Sequence, residues 1–185
     1  MAYTVSKQYA LASAEGDARK TTGKMIVLHS TANLNASAAN NAAFEKRTWN
    51  SNSAYVHYIV GDGIVYEVGT PGYVAWGAGQ TANALAPVQV EMEESSDVAK
   101  QKRIYATYIA LVRDMAAKYD VPLTLDASGN TGIKTHDWCS KTYHETDHTD
   151  PWAALARIGI DRTQLASDLA HGAGAVTATK PAATA

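Results

Sequence analysis

Between residues 135 and 151 the chain reads Thr135-His136-Asp137-Trp138-Cys139-Ser140-Lys141-Thr142-Tyr143-His144-Glu145-Thr146-Asp147-His148-Thr149-Asp150-Pro151, which gathers three His, three Asp, one Glu and the only Cys of the protein. Imidazole, carboxylate and thiolate are the groups that bind zinc, and a catalytic zinc takes three of them plus water. An acidic, His-rich stretch is also what a solvated surface loop looks like, so a second segment has to contribute. His29 offers one. It closes the wholly apolar run Met25-Ile26-Val27-Leu28 and is followed by Ser30-Thr31, which places its ring at the edge of a sheet, where loops gather. A proton acceptor is available on another run, Val88-Gln89-Val90-Glu91-Met92, where Val88, Val90 and Met92 share one face and Gln89 and Glu91 the other. Taken alone, Glu91 reads as an exposed glutamate on a half-buried strand, with Glu93 and Glu94 close by.

These side chains need a sheet to position them. Residues 25–29, 55–60, 63–68 and 88–92 read as strands, the second and third joined in a hairpin by Gly61-Asp62-Gly63, which supplies positive φ angles. The first run is apolar on both faces and belongs at the centre. Ser37 can cap a helix through about Trp49, and Ser95 or Ser96 followed by Asp97 opens a longer one that ends before Pro122. In that longer helix Ile104, Tyr108, Leu111 and Met115 lie next to Tyr105, Ile109, Val112 and Ala116, a stripe so wide that a sheet must cover it. Pro151 suits the start of a short helix through Arg157 that Gly159 terminates, and Asp161 can cap a last helix ending near Gly172. Strands and helices interleave without a strict repeat. The fold class expected is α/β, a mixed central β-sheet flanked by helices.

The 185 residues, 46% hydrophobic and 18% charged with one cysteine, suit one domain with its own core and exclude disorder, collagen and a disulfide scaffold. Lys plus Arg is 16 against 18 for Asp plus Glu, a net charge of -2 without a long basic run, so neither nucleic acid nor a membrane surface is an expected partner. No apolar stretch approaches the roughly 20 residues of a membrane helix, and Met1-Ala2-Tyr3-Thr4-Val5-Ser6-Lys7 lacks the apolar core of a signal peptide. A soluble cytosolic monomer is expected. Residues 172–185, rich in Ala, Thr and Gly, read as a flexible tail or linker behind a domain of residues 1–171.

Five segments in order resemble the zinc-dependent N-acetylmuramoyl-L-alanine amidases, the family of amidase-type phage lysozymes and peptidoglycan recognition proteins. They are Val27-Leu28-His29-Ser30-Thr31, Ser53-Ala54-Tyr55-Val56-His57-Tyr58-Ile59-Val60 with Gly61-Asp62-Gly63, Val74-Ala75-Trp76-Gly77-Ala78-Gly79, Val88-Gln89-Val90-Glu91, and Thr135-His136 leading to Thr146-Asp147-His148-Thr149-Asp150-Pro151. The closing pattern is especially similar to phage and prophage endolysins of Gram-positive hosts. The resemblance implies the amidase type of mixed sheet and one zinc ion per chain held by His29, His136 and Asp150, with the fourth position left for water. Many relatives carry Cys where Asp150 stands, and His144 and Cys139 are the competing third ligands.

The same resemblance implies that Glu91, at the place of the family's Ile-Gly-Ile-Glu, is the general base. His148, where many relatives have Lys, would stabilise the oxyanion and protonate the leaving amine. His57, Tyr58, Trp76 and Asn83 are candidate substrate contacts, with Asn50 and Asn52 as further hydrogen-bonding groups, and Gly77 departs from the His of the family's Trp-His-Ala-Gly loop. The implied activity is hydrolysis of the amide between N-acetylmuramic acid and L-alanine in peptidoglycan. The implied setting is an endolysin that waits in the host cytoplasm until a holin opens the membrane, its tail leading to a wall-binding module. A non-catalytic peptidoglycan-binding module and a cytosolic muropeptide-recycling amidase are the other readings.

Overall fold

A computed structural model describes residues 3–34 and 36–174. In chain order the elements are β1 (Thr4–Ser6), β2 (Lys24–Ser30), α1 (Ala38–Thr48), β3 (Tyr58–Val60), β4 (Ile64–Glu67), α2 (Gln80–Leu85), β5 (Val88–Met92), α3 (Val98–Tyr119), β6 (Thr131–Thr135), α4 (His136–Tyr143), α5 (Trp152–Ala156) and α6 (Arg162–His171). They build one six-stranded sheet in the order β1-β4-β3-β5-β2-β6. Only β3 and β4, the expected hairpin, run antiparallel. In its turn Gly63 alone takes a positive φ, +70°, while the Gly61 N–H donates to the Ile64 carbonyl at 2.8 Å.

The apolar run of β2 is central, and its two faces serve two layers. Ile26 and Leu28 meet Val88, Val90 and Met92 of β5 beneath the broad stripe of α3, and Leu165 and Leu169 of α6 close that layer. Met25 and Val27 point the other way, against Ala78, Ala82, Ala86 and Cys139 beside α2 and α4. On that second side α1 lays Ala38 and Ala42 over Val56, Ile59 and Val68. Because side chains alternate along a strand, His29 follows Met25 and Val27 onto the second face.

Strand β5 corrects the expectation of a half-buried strand with an exposed polar face. It lies between β3 and β2, and Gln89 is as inaccessible as Val88. Its alternation of apolar and polar residues marks two different protein surroundings instead of core and solvent. Four elements escaped the sequence reading. Strand β1 is three residues long, and β6 contributes one large apolar residue, Ile133. Helices α2 and α4 are short and polar, and α4 occupies part of what read as a loop. The helix starts were legible: Ser37 Oγ accepts from Asn40 N, the Asp97 carboxylate from Ala99 N and Lys100 N, and that of Asp161 from Gln164 N.

Register places the chemistry. In the parallel pairing of β2 with β5, Val27 is opposite Gln89 and His29 opposite Glu91. In the pairing of β2 with β6, Leu28 is opposite Thr135, so the next residue, His136, arrives level with His29. All three strands end at one edge, and the carboxyl ends of parallel strands are where α/β sheets bind ligands. The expected linker begins at the end of α6, and residues 175–185 lie outside the described residues. Among the described residues no helix is long and apolar enough to cross a membrane.

Replacing Ile104, fully buried where α3 meets the sheet, by Ala is expected to cost about 2–5 kcal/mol in denaturant unfolding. Val98→Ala, at a site 49% exposed, should stay within about 0.5 kcal/mol of wild type. Equal losses at the two positions would contradict the assignment of the α3 core face.

Candidate metal centre and active-site cavity

His29, His136 and Asp150 come together from the end of β2, the first residue of α4 and the residue before Pro151. His29 Nδ1 lies 3.0 Å from His136 Nδ1 and 3.4 Å from Asp150 Oδ2, and His136 Nδ1 lies 3.1 Å from Asp150 Oδ1. Zinc bonds of about 2.1 Å in tetrahedral geometry would separate ligand atoms by about 3.4 Å, so the three distances match such a site to within a few tenths of an ångström. The donor set is also of the right kind, two imidazole nitrogens and a carboxylate facing one another with both rings buried. Burial, together with neighbouring His29, lowers the His136 pKa, which favours the neutral ring that a metal ligand requires. Burial alone would raise the Asp150 carboxyl, but its hydrogen bonds with His136 and His29 outweigh that and hold it well below the usual carboxylate range.

Neighbours orient Asp150 and His136, whereas among the described residues His29 Nε2 is buried without a hydrogen-bond partner. Asp150 Oδ2 accepts from the Ser30 N–H at 3.2 Å and its carbonyl from the Asp137 N–H at 3.1 Å. Thr135 caps α4, its Oγ1 accepting from Trp138 N, and is itself held by Asp126 through a 2.7 Å bond from Thr135 N to Asp126 Oδ1. His136 keeps Nε2 within 3.2 Å of Thr146 Oγ1, a contact that fixes the ring so that Nδ1 faces the cluster. Neither competitor joins the group. Cys139 is buried against Met25 and Val27, where burial pushes its thiol up to about 12, and His144 is the left-handed cap of α4.

The cluster opens into a cavity of about 340 Å³ that is also lined by Glu45, Trp76, Glu91 and His148. Cavities of about 580 and 620 Å³ lie elsewhere, beside the 11–18 segment and between α4 and α6, so chemistry rather than size marks this one. Glu91 sits at its wall, and among the described residues its carboxyl has no hydrogen-bond or ion-pair partner. Burial, then the charges of Asp150 and Glu94, push its pKa up to about 8. A carboxyl without a protein partner beside a metal-type ligand set is poised to take a proton from something in the cavity. His148 stands at the mouth, its side chain 59% exposed, its ring stacked on His136 with centroids 4.4 Å apart and Nδ1 3.4 Å from Asp150 Oδ1.

The candidate substrate contacts divide. Trp76 lines the cavity, donates from Nε1 to Asp17 Oδ2 at 2.9 Å and packs on Trp49 and Tyr55. Tyr58 is corrected: it is opposite Val90 and therefore on the α3 side, buried in the main core. His57 is corrected as well. It is fully buried, receives the Gln89 N–H on Nδ1 at 2.8 Å and therefore donates from Nε2 to the Tyr73 carbonyl at 2.9 Å. Asn83 is a third correction, because its Oδ1 accepts from Ala78 N at 2.8 Å and Gln89 Nε2 at 2.9 Å. Of the weaker candidates, Asn52 lines an adjoining groove of about 460 Å³, while Asn50 is exposed outside both cavities.

Gly77 has a reason within this chain: a Cβ there would lie 2.5 Å from Gln89 Oε1 and 2.9 Å from Val56 Cγ1. The buried amide of Gln89 takes the space, and a larger residue at 77 would require a smaller one at 89.

Glu45 was missed. It lines both the cavity and the groove and accepts the Val56 N–H at 2.9 Å, and burial, then the charge of Glu91, raise its pKa above the ordinary carboxyl value. Its signal was present in the spacing, since Ala38, Ala42 and Glu45 follow i, i+4, i+7 on the helix face that packs inward.

Three convergent donors that could hold a metal ion, with an unpartnered carboxyl beside them, are the kind of set a metal-assisted hydrolase would use. Residues 19–153 match the N-acetylmuramoyl-L-alanine amidase family (Amidase_2), and the chain belongs to that family. It is 38% identical over 161 residues to the endolysin of Listeria phage A511, covering 85% of this chain and 47% of that one. It is 32% identical over 157 residues to the lytic amidase of Streptococcus pneumoniae phage HB-3, covering 83% and 49%. The chain thus spans about half the length of these relatives. The crystal structure of the Staphylococcus aureus hydrolase AmiA in complex with its ligand shares the fold, with a TM-score of 0.80 at 23% identity over 91% of this chain and 82% of that one.

Burial holds His57 at about 4, below its ordinary 6.5. A base with a depressed folded pKa stabilises the fold above 6.5, and that stability is lost as pH falls through 6.5 towards 4. Denaturant midpoints measured between pH 7 and 5 should therefore fall less steeply for His57→Gln than for wild type. Identical slopes would contradict the buried neutral histidine.

Proposed function

We propose that this chain is the catalytic part of a cell-wall hydrolase that cleaves the amide between N-acetylmuramic acid and L-alanine in peptidoglycan, with one zinc ion held by His29, His136 and Asp150. The observation that carries the reading is the set of three facing donor atoms, 3.0 to 3.4 Å apart, beside the unpartnered carboxyl of Glu91. Zinc in that position would supply Lewis acidity, lowering the pKa of water towards about 7 and polarising the carbonyl under attack.

The chain's own groups complete the chemistry. Glu91 accepts the proton of the attacking water on its free carboxylate and can return it to the departing nitrogen. His148, with Nδ1 towards Asp150, has Nε2 available at the cavity mouth to stabilise the tetrahedral oxyanion or protonate the amine. Trp76 offers an indole edge of the cavity to a sugar or peptide. The complete ligand set favours catalysis over a module that only holds the wall. We further propose that residues 1–171 are the catalytic unit, that it works as a monomer, and that it follows the endolysin route from host cytoplasm to wall after holin action.

Incubated with zinc and purified Gram-positive cell walls, the chain is expected to release new amino termini of L-alanine. Glu91→Gln should keep the metal and lose about 10²- to 10⁴-fold in kcat, and His29→Ala should abolish turnover. Wall binding without new amino termini, or full activity of His29→Ala, would contradict the proposal.

A further inference from the structure

Glu93 and Glu94 follow β5 directly. They are 4% and 6% exposed, and each carries one ion pair. What they hold differs. Glu93 pairs with Lys100 and accepts the Ala38 N–H at 2.7 Å, joining the start of α3 to the start of α1. Glu94 Oε1 accepts from Ser30 Oγ at 2.8 Å and from Ala32 N at 2.9 Å, while Oε2 pairs with Arg157. Ser30 is the residue after His29, and its N–H donates to Asp150 Oδ2 at 3.2 Å. Arg157 caps the C-terminal end of α5, the helix that starts immediately after Asp150-Pro151. A closed circuit therefore runs from the end of β2 through Glu94 and Arg157 along α5 to Asp150, and back to Ser30. His136 is tied into it by the bond from Asp137 N to the Asp150 carbonyl at 3.1 Å.

We propose that Glu94, with its partner Arg157, is a positioning residue for the metal ligands, holding the end of β2 and the segment after Asp150 at the spacing where His29 and Asp150 face a common point. The need for such a holder is geometric: His29, His136 and Asp150 belong to different parts of the chain, yet their donor atoms face one another at 3.0 to 3.4 Å. A buried ion pair is a poor general stabiliser because both charges lose their hydration. As a spacer it is effective, because its two extra hydrogen bonds leave one geometry. Groups behind metal ligands commonly set affinity by this route.

The inference rests on the zinc reading, and the test separates the two. Zinc affinity, by competition with a chromophoric chelator, and the visible spectrum of the cobalt(II) form are measured for wild type, Glu94→Gln, Arg157→Met, the mild Ser30→Ala and the control Glu93→Gln. The first three variants should bind zinc about tenfold more weakly or worse and shift the cobalt bands. The Glu94→Gln/Arg157→Met double variant should lose no more than the worse single one. Glu93→Gln, which gives up a comparably buried pair, should lower the melting temperature of the metal-free chain yet bind zinc as wild type does. Zinc binding within twofold of wild type in the Glu94 and Arg157 variants, or an equal loss in Glu93→Gln, would overturn the positioning role. A wild-type chain that binds no zinc would overturn the metal assignment itself and the positioning role with it.

Discussion

The parallel pairing of β2 with β5 on one side and with β6 on the other is the constraint on which the site depends. It sets His29 opposite Glu91 and delivers His136 one residue beyond Thr135, at the same edge of the sheet. A slip of one residue in either ladder would turn the side chains of that strand to the opposite face. The register is secured far from the chemistry, by Ile26 and Leu28 packing with Val88, Val90 and Met92 under α3. The apolar layer on one side of the sheet thereby fixes the polar geometry on the other.

That geometry sets carboxyl groups of like charge beside one another and beside two imidazoles. His29, His136, Asp150 and Glu91 crowd one cavity, Glu45 adds a further carboxyl, and the proton affinities of the two glutamates rise in response to burial and to like charge. In the absence of a cation the arrangement is electrostatically costly, and a divalent ion would reverse the sign of the local field. Capping and second contacts hold the groups in place: Thr135 and Asp126 behind His136, Thr146 on its far nitrogen, and Ser30 on Asp150. The long core helix contributes too, since Tyr108 reaches through the sheet layer to donate to the His29 carbonyl at 3.1 Å.

The elements with strong apolar patterns were legible in the sequence, and so were His29 and Glu91, which stand on such elements, whereas His136 and Asp150 were assigned through the family resemblance. His29 closes the most apolar strand, and the face of Glu91 follows from the alternation of β5. Physical context that lies outside any local pattern was not legible. Gln89 and Glu91 looked solvent-facing because a polar residue buried between two strands has the same local signature as an exposed one. Strand β6 hid because Lys134, a residue that ordinarily marks a surface, lies buried with its ammonium 4.2 Å above the Trp138 ring. His57 and Tyr58 are neighbours in a motif, yet strand parity sends them to opposite layers, and neither side chain lines the cavity. Glu93 and Glu94 diluted the signal of Glu91 in the sequence, whereas folding gives each of the three a separate task.

The central claim is the identity of the three ligands. X-ray absorption at the zinc edge of the zinc-loaded chain tests it most directly. The account predicts a first shell of nitrogen and oxygen alone, at about 2.0 to 2.2 Å, with the multiple scattering of two imidazoles. A sulfur scatterer at about 2.3 Å, which only Cys139 or a methionine of this chain could supply, would contradict it, as would the outer-shell signal of a single imidazole.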